Sequence, residues 1–201
     1  ISATASIRAI ATKSGYTNSQ ASDATYLINE NNNIPILYIT TDPDNFFDDE
    51  IGIYVDGTNG VVAYCATEPV NWAQDWERPI NLKMFLPDGE LAFDVDAGVE
   101  INGACSRNRA MKSLGINLRD KEFGDDAIEY PLFPERDHEN YQRLKIRNSG
   151  QDFIRLGFRD MVNQNMITGK LDIELQAGRP ALLYLNGEFW GIHNIREKYA
   201  G

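Results

Sequence analysis

The chain has 201 residues, of which 42% are hydrophobic, enough to bury the core of one domain with a small appendage. Its formal net charge of −11 repels phosphate backbones and argues against nucleic-acid binding unless the charge is strongly polarised. No apolar run reaches the roughly 18 residues that a membrane-spanning helix needs. Cys65 and Cys105 are too few for a disulfide scaffold and lack zinc-site spacing, so they read as two semi-buried thiols. His138 and His193 leave little material for histidine catalysis or metal binding. The sequence begins at Ile1 inside a strand-like pattern and reads as a piece of a longer polypeptide, so the lack of a signal peptide says nothing about export.

In chain order, Ala5, Ile7, Ala9 and Ala11 alternate with Ser6, Arg8, Ile10 and Thr12. A turn at Ser14-Gly15 leads to a second extended piece ending near Tyr26. Two strands do not hold themselves together, so they pack on the next domain or belong to a larger sandwich. The polar run Asn29 to Asn33 reads as a linker. Ile34 to Thr40 reads as a buried strand, ended by Asp42-Pro43-Asp44. The acidic group Asp42, Asp44, Asp48, Asp49 and Glu50 could serve calcium. Its spacing favours a solvated turn anchored by Phe46 and Phe47.

Trp72 and Trp76 suit core packing better than sugar stacking. Ile80, Leu82, Met84 and Leu86 alternate up to Pro87-Asp88-Gly89, and Leu91, Phe93 and Val95 resume the alternation, which makes a hairpin. Gly98 to Ile101 and Ser113 to Leu118 continue the sheet. Ser149 and Asp152 have capping-box form, and Ile154, Phe158, Met161 and Val162 predict one amphipathic helix over about Asp152 to Thr168. Ala181 to Leu185, Asn186-Gly187 and Phe189 to Ile195 predict a hairpin closed by a type I′ turn.

The stretch Asp96 to Leu118 then stands out: a strand, a small-residue turn with Gly103, Ser106 and Arg107, and a second strand entered through Lys112. A glycine loop followed by a lysine is how a kinase-type fold covers phosphates and grips them with an ammonium. The motif is weak by itself, and a solvated strand-edge lysine is the commoner fate of such a residue.

Its company along the chain carries a resemblance. The blocks TDPDNFFDDEIGIYV, NWAQDWERPINLKMFLPDGELAFDVDAGVEINGACSR, MKSLGINLR, YPLFPER, LKIRNSGQDF, FRD and YLNGEFWGIHNIREKY occur in this order. Over about Asn33 to Gly201 the chain resembles the CotH kinase family, named after a spore-coat kinase and common as large surface proteins of other bacteria. Residues Ile1 to Tyr26 resemble the last strands of the small sandwich repeat at the C-terminus of chitobiases and hexosaminidases.

The resemblance implies an atypical kinase small lobe: a loop over the phosphates, a lysine on the next strand, a regulatory helix, then strands running to the hinge. It makes Gly103, Ser106, Arg107, Lys112 and Asp160 the nucleotide-binding candidates, with Lys112 on the α/β-phosphates and Asp160 facing Lys112. The other reading of Asp160 is an intrahelical pair with Arg155 or Arg159. Asn148 is a phosphate-orienting residue or, preferably, a strand terminator. Two departures weaken the nucleotide reading: Ala110-Met111-Lys112 replaces a more basic run, and Cys105 replaces a small polar residue.

The expectation is an α+β fold, mostly antiparallel sheet with one principal helix, resembling the small lobe of an atypical kinase. Residues 1–30 would be terminal strands of a sandwich-like repeat and residues 31–201 the N-terminal portion of a CotH-like domain. The implied function is phosphoryl transfer from ATP and Mg2+ to Ser or Thr of a protein substrate, by a secreted or cell-surface bacterial protein. This segment alone would be inactive, with no catalytic residue and no metal ligands of its own. The alternative is a non-catalytic extracellular module for adhesion or glycan contact.

Overall fold

The computed structural model describes residues 1–119 and 122–198. Tyr199 and Gly201, at the end of the resembling stretch, lie outside them. The two expected strands, β1 (Ala5–Ala9) and β2 (Ser22–Tyr26), pair antiparallel with each other as a separate two-stranded sheet. Side-chain hydrogen bonds tie this pair to the rest of the chain: the Ser6 and Thr40 hydroxyls lie 3.0 Å apart. Glu30, in the polar stretch read as a linker, accepts hydrogen bonds from Thr4 at 2.5 Å and from Tyr184 at 2.7 Å.

The rest is built on β3 (Ile36–Thr40), β4 (Arg78–Phe85), β5 (Leu91–Asn102) and β6 (Ser113–Asn117). A small pair, β7 (Ile128–Glu129) and β8 (Asn140–Tyr141), precedes β9 (Arg143–Arg147), β10 (Gly178–Leu185) and β11 (Glu188–Glu197). Seven strands close into a barrel in the order β10, β11, β9, β6, β5, β4, β3. The barrel is antiparallel as expected except at its seam, where β3 and β10 run parallel from Ile36 opposite Leu182 to Ile39 opposite Leu185. Closure leaves the barrel sheet no free edge. It goes beyond what the sequence predicted.

The strands form where side chains alternate. On β9, Leu144 and Ile146 are fully buried while Arg143, Lys145 and Arg147 take the other face. Inward residues such as Leu37, Ile39, Leu82, Met84, Leu114 and Ile116 make one core. The β10–β11 turn has Asn186 at φ +51 and Gly187 at φ +98, the left-handed pair that a two-residue type I′ turn demands. Trp72 is buried in the core, as its packing reading held, with its indole N–H on Asp56 Oδ1 at 2.7 Å.

Three expectations are corrected. First, the helix is shorter: α1 (Pro43–Phe47) is a brief turn of helix, and the principal helix α2 covers only Arg159–Ile167. A 3-10 turn at Gly150–Asp152 and left-handed backbone at Ser149 and Gly157 take up the residues before α2. Ser149 does not cap a helix; its hydroxyl donates to the Gly157 carbonyl. Phe158 is the N-cap of α2 and caps it with no side chain; the Asp152 carboxylate, from further back, accepts from the Arg159 amide at 3.0 Å, and this and other backbone bonds hold its carboxyl below the usual range. No residue of α2 is buried, so its apolar side chains do not form the inward face the pattern predicted.

Second, Cys65 and Cys105 are not free thiols: they form a disulfide with Cα atoms 5.2 Å apart, spanning 40 residues. Third, the acidic segment is part helix. Asp42 caps α1 through the Asp44 amide, and Asp48 accepts from the Glu50 and Ile51 amides. Phe46 anchors this segment in the core, whereas Phe47 is half-exposed against the Tyr54 and Trp190 rings.

Candidate nucleotide site

The β5–β6 loop begins at Gly103, whose φ of +121 turns the chain out of β5 and whose missing side chain makes room for the Ser106 hydroxyl. A 3-10 turn over Cys105–Asn108 comes next. The disulfide at Cys105 fixes this loop to the segment carrying Cys65, and Asn108 Nδ2 donates to the Cys65 carbonyl at 3.0 Å. Arg107 folds back, its Nε donating to the Gly103 carbonyl at 2.6 Å.

Lys112 lies just before β6 and is 6% exposed. Its Nζ donates to the carbonyls of Arg107 at 2.6 Å and Arg109 at 3.1 Å. It stands 5.3 Å from the Trp72 ring centroid and 5.4 Å from that of Tyr54, within cation–π range. Burial draws its pKa down to about 8, against a smaller opposing pull from Asp56. Its backbone N–H donates to the Tyr54 hydroxyl at 2.7 Å, and the His193 ring Nε2 is 3.2 Å from its carbonyl. The ammonium therefore pins the loop from beneath, with two of its three donors taken by backbone.

Gly103, Ser106, Arg107 and Lys112 thus gather in one loop, and Asp160 is engaged elsewhere. Asp160 opens α2 and accepts from Arg147 Nη1 of β9 at 2.8 Å and from Gln164 at 3.2 Å. The buried Arg196 guanidinium of β11 comes within 3.3 Å of it. Its partners are neither Lys112 nor the intrahelical Arg155 or Arg159. The strand that precedes the helix is β9, not the Lys112 strand β6, and β9 lies between β6 and β11 in the barrel.

Asn148 ends β9, as the terminator reading held. Its Oδ1 accepts from Ser113 Oγ at 2.8 Å and from the Gly150 amide at 2.9 Å, and its Nδ2 donates to the Met111 carbonyl at 2.6 Å. Sequence reasoning missed the charged groups around the end of β11. Glu197, 6% exposed, accepts from Arg136 Nη2 at 2.7 Å and from the Ala177 amide at 3.1 Å, with His138 at 3.3 Å. The signal for β9 was present in RLKIR, where every second residue is a cation.

A family model described as CotH kinase protein matches residues 99–200, from the middle of β5 past the end of β11. The chain belongs to the CotH kinase family. The match includes the β5–β6 loop, β9, α2 and the β10–β11 hairpin. No curated protein matches the chain. For a CotH chain, nucleotide and metal use are the family's implication. Among the described residues, no three His, Cys, Asp or Glu side chains gather as a metal site, so the fit concerns phosphate donors alone.

Proposed function

We propose that this chain is the nucleotide-side lobe of a CotH-type protein kinase, which moves the γ-phosphoryl group of ATP, with Mg2+, to Ser or Thr of a protein. The observation that carries the reading is the Arg147–Asp160 pair, 2.8 Å across, joining the strand before the helix to the first turn of that helix. Kinases keep a cation on such a strand and a carboxylate on such a helix, and their pairing orients the cation toward the phosphates. Here β9, α2, β10 and β11 succeed one another in that order. In this reading Arg147 takes the station first sought at Lys112. Lys112 and Arg107 hold the Gly103–Ser106 loop in shape so that its amides meet phosphate oxygens.

The Cys65–Cys105 disulfide supports an oxidising location, the bacterial cell surface or exterior, because such bonds persist there and not in a reducing cytosol. One observation favours a second reading, a non-catalytic surface module: the Lys112 ammonium and Arg107 Nε are both spent on backbone carbonyls.

The full-length protein separates the two. Titration with Mg-ATP and transfer of labelled γ-phosphate to a Ser/Thr protein substrate are expected in the wild type, with transfer lost in Arg147→Met. A full-length protein that binds no ATP overturns the kinase reading.

A further inference from the structure

At one end of the barrel, near the termini of β6, β9 and β11, lies a cavity of about 390 Å³ lined by Arg119, Arg143, Lys198, His138, Gln142 and Glu197. In a chain with 30 acidic and 19 basic side chains, most arginines would be expected to find a carboxylate. Two arginines here do not. Among the described residues, neither the Arg119 nor the Arg143 side chain has an ion-pair or hydrogen-bond partner, and Arg143 Nε is buried without one. The one carboxylate among the cavity's described lining residues, Glu197, is already answered by Arg136, His138 and the Ala177 amide. Lys198 adds a third cation, held 3.4 Å from Glu100.

A buried guanidinium N–H left unpaired costs free energy that an incoming acceptor recovers. Two unpaired guanidiniums facing one cleft outmatch a single carboxylate and suit the several oxygens and two or more charges of a phosphate group. Gln142 adds a neutral amide donor at the rim.

We infer that this cleft is a binding site for a phosphate-bearing small molecule, gripped by Arg143 and Arg119. The inference stands on the unpaired arginines and not on the kinase reading. It adds an anion site at the barrel end, apart from the Gly103–Lys112 loop.

The test is isothermal titration of the full-length protein with inorganic phosphate, tripolyphosphate and metal-free ATP, in wild type, Arg143→Gln and Arg119→Gln. Arg119 is exposed, so its variant should keep the wild-type melting temperature even if Arg143→Gln folds poorly. Each substitution is expected to weaken binding roughly tenfold or more. Arginine-dependent binding of all three ligands supports a general phosphate site, and dependence limited to tripolyphosphate and ATP supports a polyphosphate site. Absence of binding by all three, or binding that Arg119→Gln leaves unchanged, overturns the inference. ATP bound equally by both variants removes this site and leaves the kinase reading standing. Arginine-dependent phosphate binding without ATP binding keeps the site and removes the nucleotide.

Discussion

Arg147 Nη1 on β9 donates to Asp160 Oδ2 on α2 across 2.8 Å, and the same carboxylate oxygen lies 3.3 Å from the buried Arg196 guanidinium of β11. One half-exposed carboxylate thus ties a helix without buried residues to two barrel strands. The Arg147 pair, about two-fifths exposed at both partners, contributes little to stability by itself, about 0–1 kcal/mol. Arg196, with a side chain 2% exposed, depends more on the neighbouring charge.

Asp160→Asn is therefore expected to cost about 1–2 kcal/mol in urea unfolding. Arg147→Ala should cost less than about 1 kcal/mol. An Asp160→Asn variant as stable as the wild type would show that α2 is held by something else. Hydrogen exchange should show α2 opening more readily in the variant, since few apolar contacts hold it.

Lys112 has the opposite character. With its Nζ on two backbone carbonyls, Lys112→Met leaves the Arg107 and Arg109 oxygens without donors and is expected to cost about 1–3 kcal/mol at pH 7. This reverses the expectation for a solvated or ligand-facing lysine, whose removal would leave the melting temperature nearly unchanged. The folded pKa of about 8 lies below the unfolded 10.5, so the unfolded chain binds more protons between those values. The wild type should gain stability relative to Lys112→Met as pH rises from 8 toward 10. Melting curves of both proteins across that range check the sign.

The local devices of this fold were legible in the sequence. Asn186-Gly187 and Pro87-Asp88-Gly89 specify their turns through backbone angles that few other residues take, and the alternation of Ile80, Leu82 and Met84 specifies which face is inside. The parallel β3–β10 seam was not, because it joins residues more than 140 positions apart by backbone bonds that leave no pattern in side chains. The helix was overestimated because Ile154, Phe158 and Val162 keep helical spacing, yet all three are exposed and Gly157 breaks the run. The Gly103–Lys112 loop was found, but the fate of the ammonium depends on the Arg107 and Arg109 carbonyls, and no residue type encodes those. The Arg147–Asp160 pair was hidden for the same reason: both residues are ordinary surface charges until β9 and α2 are brought together.

His193 gives an acid-side prediction. It is fully buried on β11, and burial holds its pKa down to about 4, so the ring is neutral in the folded protein at pH 7. The unfolded chain takes up the proton near 6.5, the folded one only near 4. The stability associated with the neutral ring is thus complete above pH 6.5 and is lost as pH falls through this window. The loss is on the order of 3 kcal/mol by pH 4. His193→Gln should flatten the stability–pH profile between pH 6.5 and 4 even if it lowers stability at pH 7. An unchanged profile would mean that carboxylates alone govern acid sensitivity.

The Cys65–Cys105 disulfide closes a 40-residue loop that carries Trp72, β4 and all of β5, and it ends in the turn whose carbonyls hold Lys112. Cross-linking a loop of this length removes denatured-state entropy amounting to about 4 kcal/mol. Cys65→Ser/Cys105→Ser is accordingly expected to lower unfolding stability by about 2–4 kcal/mol, and a dithiol reductant should produce the same shift in the wild type and none in the double variant. The effect should extend past stability. Of the contacts that shape the turn, the Asn108 bond to the Cys65 carbonyl joins the two segments that the disulfide links, whereas Arg107 folds onto Gly103 within the loop. Amide exchange across residues 103–112 should therefore rise on reduction more than exchange in β9 and β11. Thiol titration of the denatured, unreduced protein should find no free cysteine; two free thiols would place the pair outside an oxidising location and remove this constraint on the loop.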